Sequence, residues 1–261
     1  MPALHQPTRR ERQREATYDE IVRAATELLT EGAELSLRAV ASRMGMTAPA
    51  LYRYVASYQE LVDLVAFELD KAATQGFATA AEKYPADDPA ARLCASCVAF
   101  RRWALERPRE FALVFANPIG SEDSERRELL TLSTSGHYFT DLLYEIWEIY
   151  QFPYPSLDEL DPIVRDAVLN PLIPAKAEHI EPEDRGLLWV YMRSWSALYG
   201  VVTLESTGHC DPRVIESAAL FRATLIEWLE PLGLGGEKER MIRVLDTELA
   251  LTRPENVPLV E

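Results

Sequence analysis

The sequence predicts an all-α protein. Only 11 of its 261 residues are glycine, whereas Ala, Leu, Glu and Arg, which tolerate or favour helix, recur along the whole chain. Strictly alternating runs of β-branched and aromatic residues, which would indicate strands, are missing. Hydrophobic residues make up 48% of the chain, enough for a substantial core. The length suits one large or two modest domains, and we expect an N-terminal domain at residues 1–57 and a larger one at 58–261.

The net charge of −15 by itself argues against nucleic-acid binding. However, residues 1–60 contain eight Arg and eight Asp or Glu, so the whole acidic excess lies in residues 61–261. At physiological ionic strength charges are screened within about 8 Å, so a distant acidic surface opposes an N-terminal contact only weakly. The distribution indicates a nucleic-acid-facing head (residues 1–57) and an acidic body (residues 58–261).

The sequence also predicts where the protein resides. No apolar stretch approaches the roughly 18–20 residues that a membrane-spanning helix needs. The N-terminal segment MPALHQPTRRERQRE is polar and basic and lacks the apolar core of a signal peptide. Three cysteines are too few, and odd in number, for a disulfide framework. We therefore expect a cytoplasmic protein with no membrane partner.

Three helices are predicted in the head. An apolar stripe at helical spacing predicts the first over about residues 14–31, where Gly32 ends it. Ser36 is a candidate cap for a short second helix, LRAVASRM, which Gly45 ends. Thr47 is a candidate cap for a third helix, APALYRYV, with Pro49 in its first turn. Two short helices joined by a glycine-containing turn form a helix-turn-helix unit.

The exposed start of the third helix predicts DNA binding. Ala48 and Ala50 are small enough to let this helix enter a major groove about 12 Å wide. Nearby Tyr and Arg side chains are placed to reach phosphates, and Arg38 a phosphate or a guanine edge. The predicted DNA-contacting residues are Arg38, Thr47, Ala48, Pro49, Tyr52, Arg53, Tyr54 and Tyr58. A basic tail, placed to follow the backbone or enter the minor groove, contains Arg9, Arg10, Arg12 and Arg14.

This head resembles that of the TetR family of bacterial regulators. The resemblance covers residues 14–65 and is densest in LSLRAVASRMGMTAPALYRYVASYQELVDLV, residues 35–65. Two departures are visible: Val55 stands where the family usually has Phe, and Tyr58 where a Lys is usual. The second removes an expected phosphate-binding charge, for which the Tyr hydroxyl is a weak substitute. The resemblance implies a transcriptional regulator, with repression as the family expectation.

Turn signals divide the body into further helices. They are predicted at about 57–83, up to Glu106, from Pro108 to Phe115, over 122–151, for a dozen residues after Ser156, and over 183–207, 212–231 and 237–251. The helix at 183–207 is apolar on most sides, which suits burial at a subunit interface. No role is predicted for the last helix.

The segment RSWSALYGVVTLESTG resembles the Trp-x-x-x-His-Gly region of a C-terminal domain in one TetR subgroup. Trp195 and Gly200 match the pattern, and Tyr199 replaces the His. The resemblance implies a homodimer built on a four-helix bundle. Two heads one DNA turn apart, about 34 Å, would also read a palindromic operator with higher affinity than one. The predicted dimer residues are Trp195, Tyr199, Val202, Leu225 and Trp228.

The resemblance further implies a pocket for a small-molecule effector inside the body. Aromatic residues with a few polar anchors are typical of such pockets, although core packing is the better explanation for each residue taken alone. Arg101 is the sharpest candidate, because a charge on an apolar face needs a partner such as an acidic ligand group, unless it lies at the surface. The predicted ligand-binding residues are Phe100, Arg101, Trp103, Phe115, Tyr138 and Trp195.

Three alternatives remain open. Cys94 and Cys97 have the spacing of a redox or metal pair, which allows a thiol-responsive regulator, although small buried cysteines are common in helix packing. The four histidines are scattered in sequence, so neither a metal site nor a cofactor is predicted.

An enzyme is disfavoured because no nucleophile elbow, phosphate-binding glycine loop or HExxH motif occurs. Finally, the body of a DNA-binding dimer can serve dimerisation alone, without an effector.

Overall fold

The computed structural model describes residues 8–116, 134–171 and 180–251. Within these ranges the protein is all-α: α-helices and short 3-10 turns supply all regular structure, which confirms the predicted fold class. The helices are α1 (Arg9–Glu31), α2 (Leu37–Arg43), α3 (Ala48–Leu51), α4 (Tyr58–Ala81), α5 (Pro89–Glu106), α6 (Pro108–Phe115), α7 (Thr134–Tyr150), α8 (Pro162–Leu169), α9 (Gly186–Ser206), α10 (Pro212–Ser217), α11 (Ala219–Glu227) and α12 (Lys238–Leu251).

The described residues fall into two compact units. The first comprises residues 8–69 and 109–116, and the second comprises residues 70–108, 134–171 and 180–251. The predicted domain boundary after residue 57 lies just before α4, whereas the boundary between the two compact units falls inside α4, after Leu69. Its first half belongs with the head because Leu61, Val65 and Leu69 are buried in the same core as α1 to α3.

In the first unit, helix ends are set by the local signals that the sequence contains. Helix α1 begins at Arg9 rather than at the predicted Arg14, because Thr8 and Glu11 form a capping box. The segment predicted as a basic tail is therefore helical from Arg9 onward. Gly32 ends α1 with a φ of 77°, and an added Cβ would lie 2.9 Å from the Arg109 guanidinium.

The second unit is built around α5, which packs against α7, α9 and α12. Its core-facing residues are small or apolar, among them Ala91, Ala95, Val98 and Phe100. Asp88 begins α5 by accepting a hydrogen bond from the Ala91 backbone N–H. Among the described helices, none is both long and apolar enough to span a membrane.

Two predicted helices of the body differ from the structure, and a third is described only in part. The helix expected over 212–231 is divided at Ala218, whose φ of 54° lies in the left-handed region, into α10 and α11. Instead of one helix of a dozen residues after Ser156, a capping box of Ser156 and Glu159 starts a 3-10 turn (Leu157–Glu159), and Pro162 begins α8. The helix predicted over 122–151 is observed as α7, and residues 122–133 lie outside the described residues.

Candidate functional site

The turn between α2 and α3 has the geometry of a helix-turn-helix unit. The Ser36 hydroxyl accepts a hydrogen bond from the Ala39 backbone N–H at 3.2 Å and caps α2, as predicted. Gly45 has a φ of 65°, and the Met46 N–H donates to the Ala41 carbonyl at 2.8 Å, which closes the C-terminus of α2. Thr47 occupies the cap position of α3, but its side chain makes no capping hydrogen bond, so that prediction is wrong.

Helix α3 is shorter than predicted and ends at Leu51, not Val55. Leu51 and Val55 are both buried and attach this segment to the core of the first unit. The residues between and before them face solvent: Thr47, Pro49, Tyr52 and Arg53 are exposed, and Ala48 is half-buried. Tyr52 keeps 51% of its surface exposed, which is unusual for a large aromatic side chain and leaves it available to a partner.

Two further predicted contacts lie on the elements that flank α3. Arg38 is exposed on the first turn of α2, and Tyr58 is 51% exposed at the start of α4. The Ser57 hydroxyl accepts from the Glu60 N–H at 3.1 Å, and Glu60 accepts from the Ala56 N–H at 2.5 Å. These two bonds order the start of α4, so Tyr58 projects from a fixed first turn.

Tyr54 differs from the other predicted contacts because it is half-buried. Its ring meets that of Tyr18 edge to face with centroids 5.8 Å apart, and its carbonyl accepts from the Tyr18 hydroxyl at 3.2 Å. Arg14 donates to the same hydroxyl at 3.0 Å. Tyr54 therefore connects the residues that follow α3 to α1. The sequence did not indicate this connection, which joins residues 36 positions apart.

Arg43 is a basic residue of α2 that forms ion pairs within the protein. Its guanidinium lies 2.5 Å from a Glu31 carboxylate oxygen and 3.3 Å from one of Glu27. The hydrogen bond from Arg43 lowers the pKa of Glu31. These pairs join α2 to α1 and offset the charge of Arg43, which leaves Arg38 and Arg53 as the predicted Arg contacts to phosphate.

Arg101, the sharpest predicted ligand contact, binds a carboxylate of its own chain. Its Nε lies 2.5 Å from Glu205 Oε2, its Nη2 donates to the Ile215 carbonyl at 2.5 Å, and its guanidinium lies 5.4 Å from the Phe221 ring centre. Both charged side chains are buried. Burial raises the pKa of Glu205, and the neighbouring Arg101 opposes that shift. The expectation that a ligand acid neutralises Arg101 is therefore corrected: Glu205 takes that position.

The predicted aromatic ligand contacts pack against neighbouring side chains of the protein itself. Phe100 meets Trp195 at 5.5 Å between ring centres, and Phe77 lies 5.6 Å from Phe100 and 6.2 Å from Trp103. The Tyr138 hydroxyl shares a hydrogen bond of 2.8 Å with Ser96. These distances are those of aromatic core packing. Phe115 belongs to the first unit, where its ring lies 5.4 Å from that of Phe111.

Pockets of the second unit lie beside this aromatic cluster rather than within it. One is lined by α7 and α9 residues that include Thr140, Tyr144, Leu187 and Tyr191. Another lies between α5, α11 and α12 and has Cys94 and Cys97 in its wall. None of the predicted ligand-binding residues lines either pocket.

Cys94 and Cys97 are free, buried thiols. Burial raises the pKa of Cys97 to about 12 and that of Cys94 well above its ordinary value. Because the thiolate is the nucleophile and the metal ligand, neither residue has the environment of a reactive cysteine. In the part of the chain that the structure describes, no group of three or more His, Cys, Asp or Glu is arranged to hold a metal ion.

The predicted dimer residues occupy different environments in the single chain. Val202 is fully buried and has no surface to offer a partner subunit, so its assignment to an interface is corrected. Leu225 and Trp228 line the pocket between α5, α11 and α12. Trp195 and Tyr199 are half-buried and stack at 6.1 Å. The large apolar side chains that α9 and α11 do expose are Met192, Leu204 and Leu220.

Comparison with known families identifies this architecture. A family model described as "Tetracyclin repressor-like, C-terminal domain" matches residues 93–227, which is more than half of the chain. The chain belongs to the TetR family of transcriptional regulators. The helix-turn-helix unit of the first unit is thus the head of a TetR-family protein, and residues 93–227 form the C-terminal domain of that family. The family is one of regulators rather than of enzymes.

Individual relatives agree with the TetR assignment. The chain is 35% identical over 94 residues to HTH-type transcriptional regulators Rv1816 and MT1864 of Mycobacterium tuberculosis and Mb1846 of Mycobacterium bovis. The match covers 36% of this chain and 40% of each relative. A solved structure of a regulatory protein, SCO4313, superposes with a TM-score of 0.54 at 27% identity, over 86% of this chain and all of that chain.

Sequence reasoning missed two functional features of this TetR-family chain. Glu205, the partner of Arg101, was visible as the single acid in the apolar stretch VVTLES, which is the signal of a buried charge that needs a counterion. The role of α12 had no such signal, because its contacts with α5 involve residues more than a hundred positions apart.

Proposed function

We propose that this TetR-family protein represses transcription as a homodimer that occupies a palindromic operator and is released by a small-molecule effector. The observation that carries the proposal is the exposed face of the helix-turn-helix unit. On a rigid, capped frame it presents Thr47, Pro49, Tyr52, Arg53 and Tyr58 to solvent.

This face is suited to DNA by shape more than by charge. Small and short residues at the start of α3 permit close approach to a groove, while the two Tyr hydroxyls and Arg53 are long enough to reach phosphates. Arg38 adds a second positive charge from α2. Because residues 1–60 carry no net charge, the electrostatic contribution of one head to affinity is modest.

A modest single-head affinity makes dimerisation important. Two recognition segments held about 34 Å apart would contact successive major grooves on one side of the duplex. The exposed apolar side chains Met192, Leu204 and Leu220, with the half-buried Tyr199, are the surface that we assign to the subunit interface. Apolar side chains left exposed on two adjacent helices are typical of surfaces buried in an oligomer.

The effector would act by preferring the form that does not bind DNA. A shift from 1:99 to 99:1 between the two forms requires roughly a ten-thousand-fold difference in affinity, about 5.5 kcal/mol. Helix α4 is the element through which we expect the change to reach the head, since its residues contribute to both units. Consistent with such a regulator, we expect a cytoplasmic protein without a cofactor.

The proposal is tested by selecting bound sequences from a random DNA pool with the full-length protein. The selected duplex then serves in gel-shift assays with Tyr52→Ala/Arg53→Ala and, as a matched control, Arg213→Ala, an exposed Arg of the second unit. We expect a palindromic consensus, a loss of affinity in the double variant and none in the control. Failure to enrich any sequence, or unchanged affinity in the double variant, would contradict the proposal.

A further inference from the structure

We propose that the pocket between α5, α11 and α12 binds an uncharged, largely hydrophobic small molecule. The assignment of that molecule as the effector rests on the function proposed above, whereas the existence and selectivity of the site do not. The site lies outside the aromatic cluster in which the sequence placed the ligand. It also gives α12 a role, because this helix forms one wall.

The chemistry of the lining defines the ligand class. Side chains from three elements converge on the cavity: Cys94 and Cys97 from α5, Leu225 and Trp228 at the C-terminal end of α11, and Met241 and Leu245 from α12. Every residue in the lining is Ala, Leu, Ile, Met, Trp or Cys, and none is charged. Small-molecule sites in proteins are likewise mostly apolar.

The same lining discriminates against charged molecules. A carboxylate or ammonium group placed here would lose its hydration without gaining a counterion or a charged hydrogen bond. The thiols give no compensation, because burial raises their pKa and keeps them neutral. They are, however, soft and polarisable, and together with the Trp228 indole they favour contact with flat aromatic or extended aliphatic molecules.

Polar contacts outside the pocket fix the α12 wall. Near its start, Arg240 forms an ion pair with Asp88 at 2.6 Å, and Asp88 also caps α5. Near its end, the buried Glu248 accepts from the Tyr84 hydroxyl at 2.6 Å and from Lys83 at 2.5 Å. Lys83 and Tyr84 lie two and three residues beyond Ala81, the last residue of α4. A ligand that displaces α12 would therefore disturb the C-terminal end of α4, the helix that begins in the head.

The proposal is tested by calorimetric titration of the full-length protein with 2-naphthol and 2-naphthoate at neutral pH. The two compounds have similar size and differ in charge. We expect 2-naphthol to bind at least about tenfold more tightly than 2-naphthoate, since the latter must bury a carboxylate. Equal affinity for the two compounds, or no binding of 2-naphthol up to about 1 mM, would overturn the proposal.

Substitutions that fill the pocket test whether 2-naphthol binds there. Leu225→Trp fills the pocket from α11 and should weaken 2-naphthol binding by about tenfold or more. Ile163→Trp, at an α8 side chain that is 80% exposed and outside the lining, is the matched control and should bind as the wild type does. Helical content and melting temperature establish that each variant is folded, and Ile226→Trp, from the same wall, replaces Leu225→Trp if that variant unfolds. Unchanged 2-naphthol affinity in a folded pocket variant would overturn the site.

Gel-shift assays of DNA binding, carried out beside the 2-naphthol titrations, distinguish failure of the ligand site from failure of the proposed function. If the wild-type protein binds 2-naphthol with the expected selectivity but selects no DNA, the proposed function fails and the site stands. If it binds DNA but Leu225→Trp retains 2-naphthol affinity, the site fails and the function stands. If the pocket is the effector site, 2-naphthol should weaken DNA binding by the wild-type protein and should not weaken DNA binding by Leu225→Trp.

Discussion

Arg101 and Glu205 form a buried ion pair that joins α5 to α9, with Nε and Oε2 separated by 2.5 Å. A second hydrogen bond, to the Ile215 carbonyl, extends the connection to α10. Glu205 Oε1 has no hydrogen-bond partner among the described residues, so the carboxylate is only partly compensated. The pair fixes the relative positions of three helices, and a buried charge left without its partner is costly.

Replacing Arg101 with Met should lower the free energy of unfolding by about 3–5 kcal/mol at neutral pH, because Glu205 is then left buried and unpaired. The pKa of Glu205, already raised by burial, should rise further. A carboxyl whose pKa is raised in the folded state stabilises the fold when protonated, and this contribution is lost as pH rises through that pKa. The deficit should therefore shrink as pH falls toward 4.5, the ordinary value for Glu.

Urea unfolding at a series of pH values measures this deficit. The double variant Arg101→Met/Glu205→Gln should lack its pH dependence. Arg222→Met, which breaks the exposed pair with Asp246, is the control and should cost little. A deficit of Arg101→Met that does not change with pH would contradict the assignment.

Ser36 and Thr47 both occupy cap positions, but they should respond differently to substitution. Ser36→Ala removes a hydrogen bond to the Ala39 N–H and should cost about 1 kcal/mol of stability. Thr47→Ala removes no capping bond, so its stability loss should be well below that of Ser36→Ala, while its DNA affinity falls. Chemical denaturation and gel shift measure the two effects, and equal stability losses would show that Thr47 does cap α3 in solution.

Tyr58→Lys should tighten DNA binding. Tyr58 is exposed on the first turn of α4, at the position where the family usually has a Lys. One added phosphate contact per head makes the slope of log K against log salt steeper by about one for that head. Ile163→Lys adds the same charge to the second unit and is the control. If both variants steepen the slope equally, the gain is a nonspecific effect of net charge.

Glu248→Gln should loosen α12. The variant loses a charged acceptor for Tyr84 and Lys83, which should lower stability by about 1–3 kcal/mol. Burial and then the bond to Glu248 raise the pKa of Tyr84, so the variant should bring that pKa down toward 10.0 without reaching it. Difference titration of tyrosinate absorbance against the wild type measures the change, with Glu227→Gln, an exposed Glu of α11, as control. An unaltered titration would contradict the bond.

The cysteines should differ in reactivity. Cys210 is partly exposed and should react with an aromatic disulfide reagent in the native protein, whereas Cys94 and Cys97 should react only after unfolding. Cys210→Ser should therefore abolish the native reaction. A second fast-reacting thiol in the native state would instead support a thiol-responsive regulator.

The helix-turn-helix unit was predictable because its signals are local. Ser36, Gly32 and Gly45 act on backbone groups within a few residues, and the apolar spacing of α1 reflects a periodicity that one helix satisfies alone. Two helix bounds were predicted wrongly for equally local reasons. Helix α1 starts earlier than predicted because of the Thr8 capping box, which the sequence analysis did not identify. The helix predicted over 212–231 is divided because Ala218 adopts a left-handed conformation that Ala does not favour.

By itself, then, the sequence determined the helical class, the Ser36 cap of α2, and the ends of α1 and α2 at Gly32 and Gly45. Only the tertiary structure decided that Arg101 is neutralised by Glu205, 104 residues away, and that Glu248 holds Lys83 and Tyr84 from more than 160 residues away. It also decided that Leu225 and Trp228 line a cavity with Cys94 and Cys97. The reason is physical: periodicity shows which face of a helix is apolar, but not which other helix covers that face.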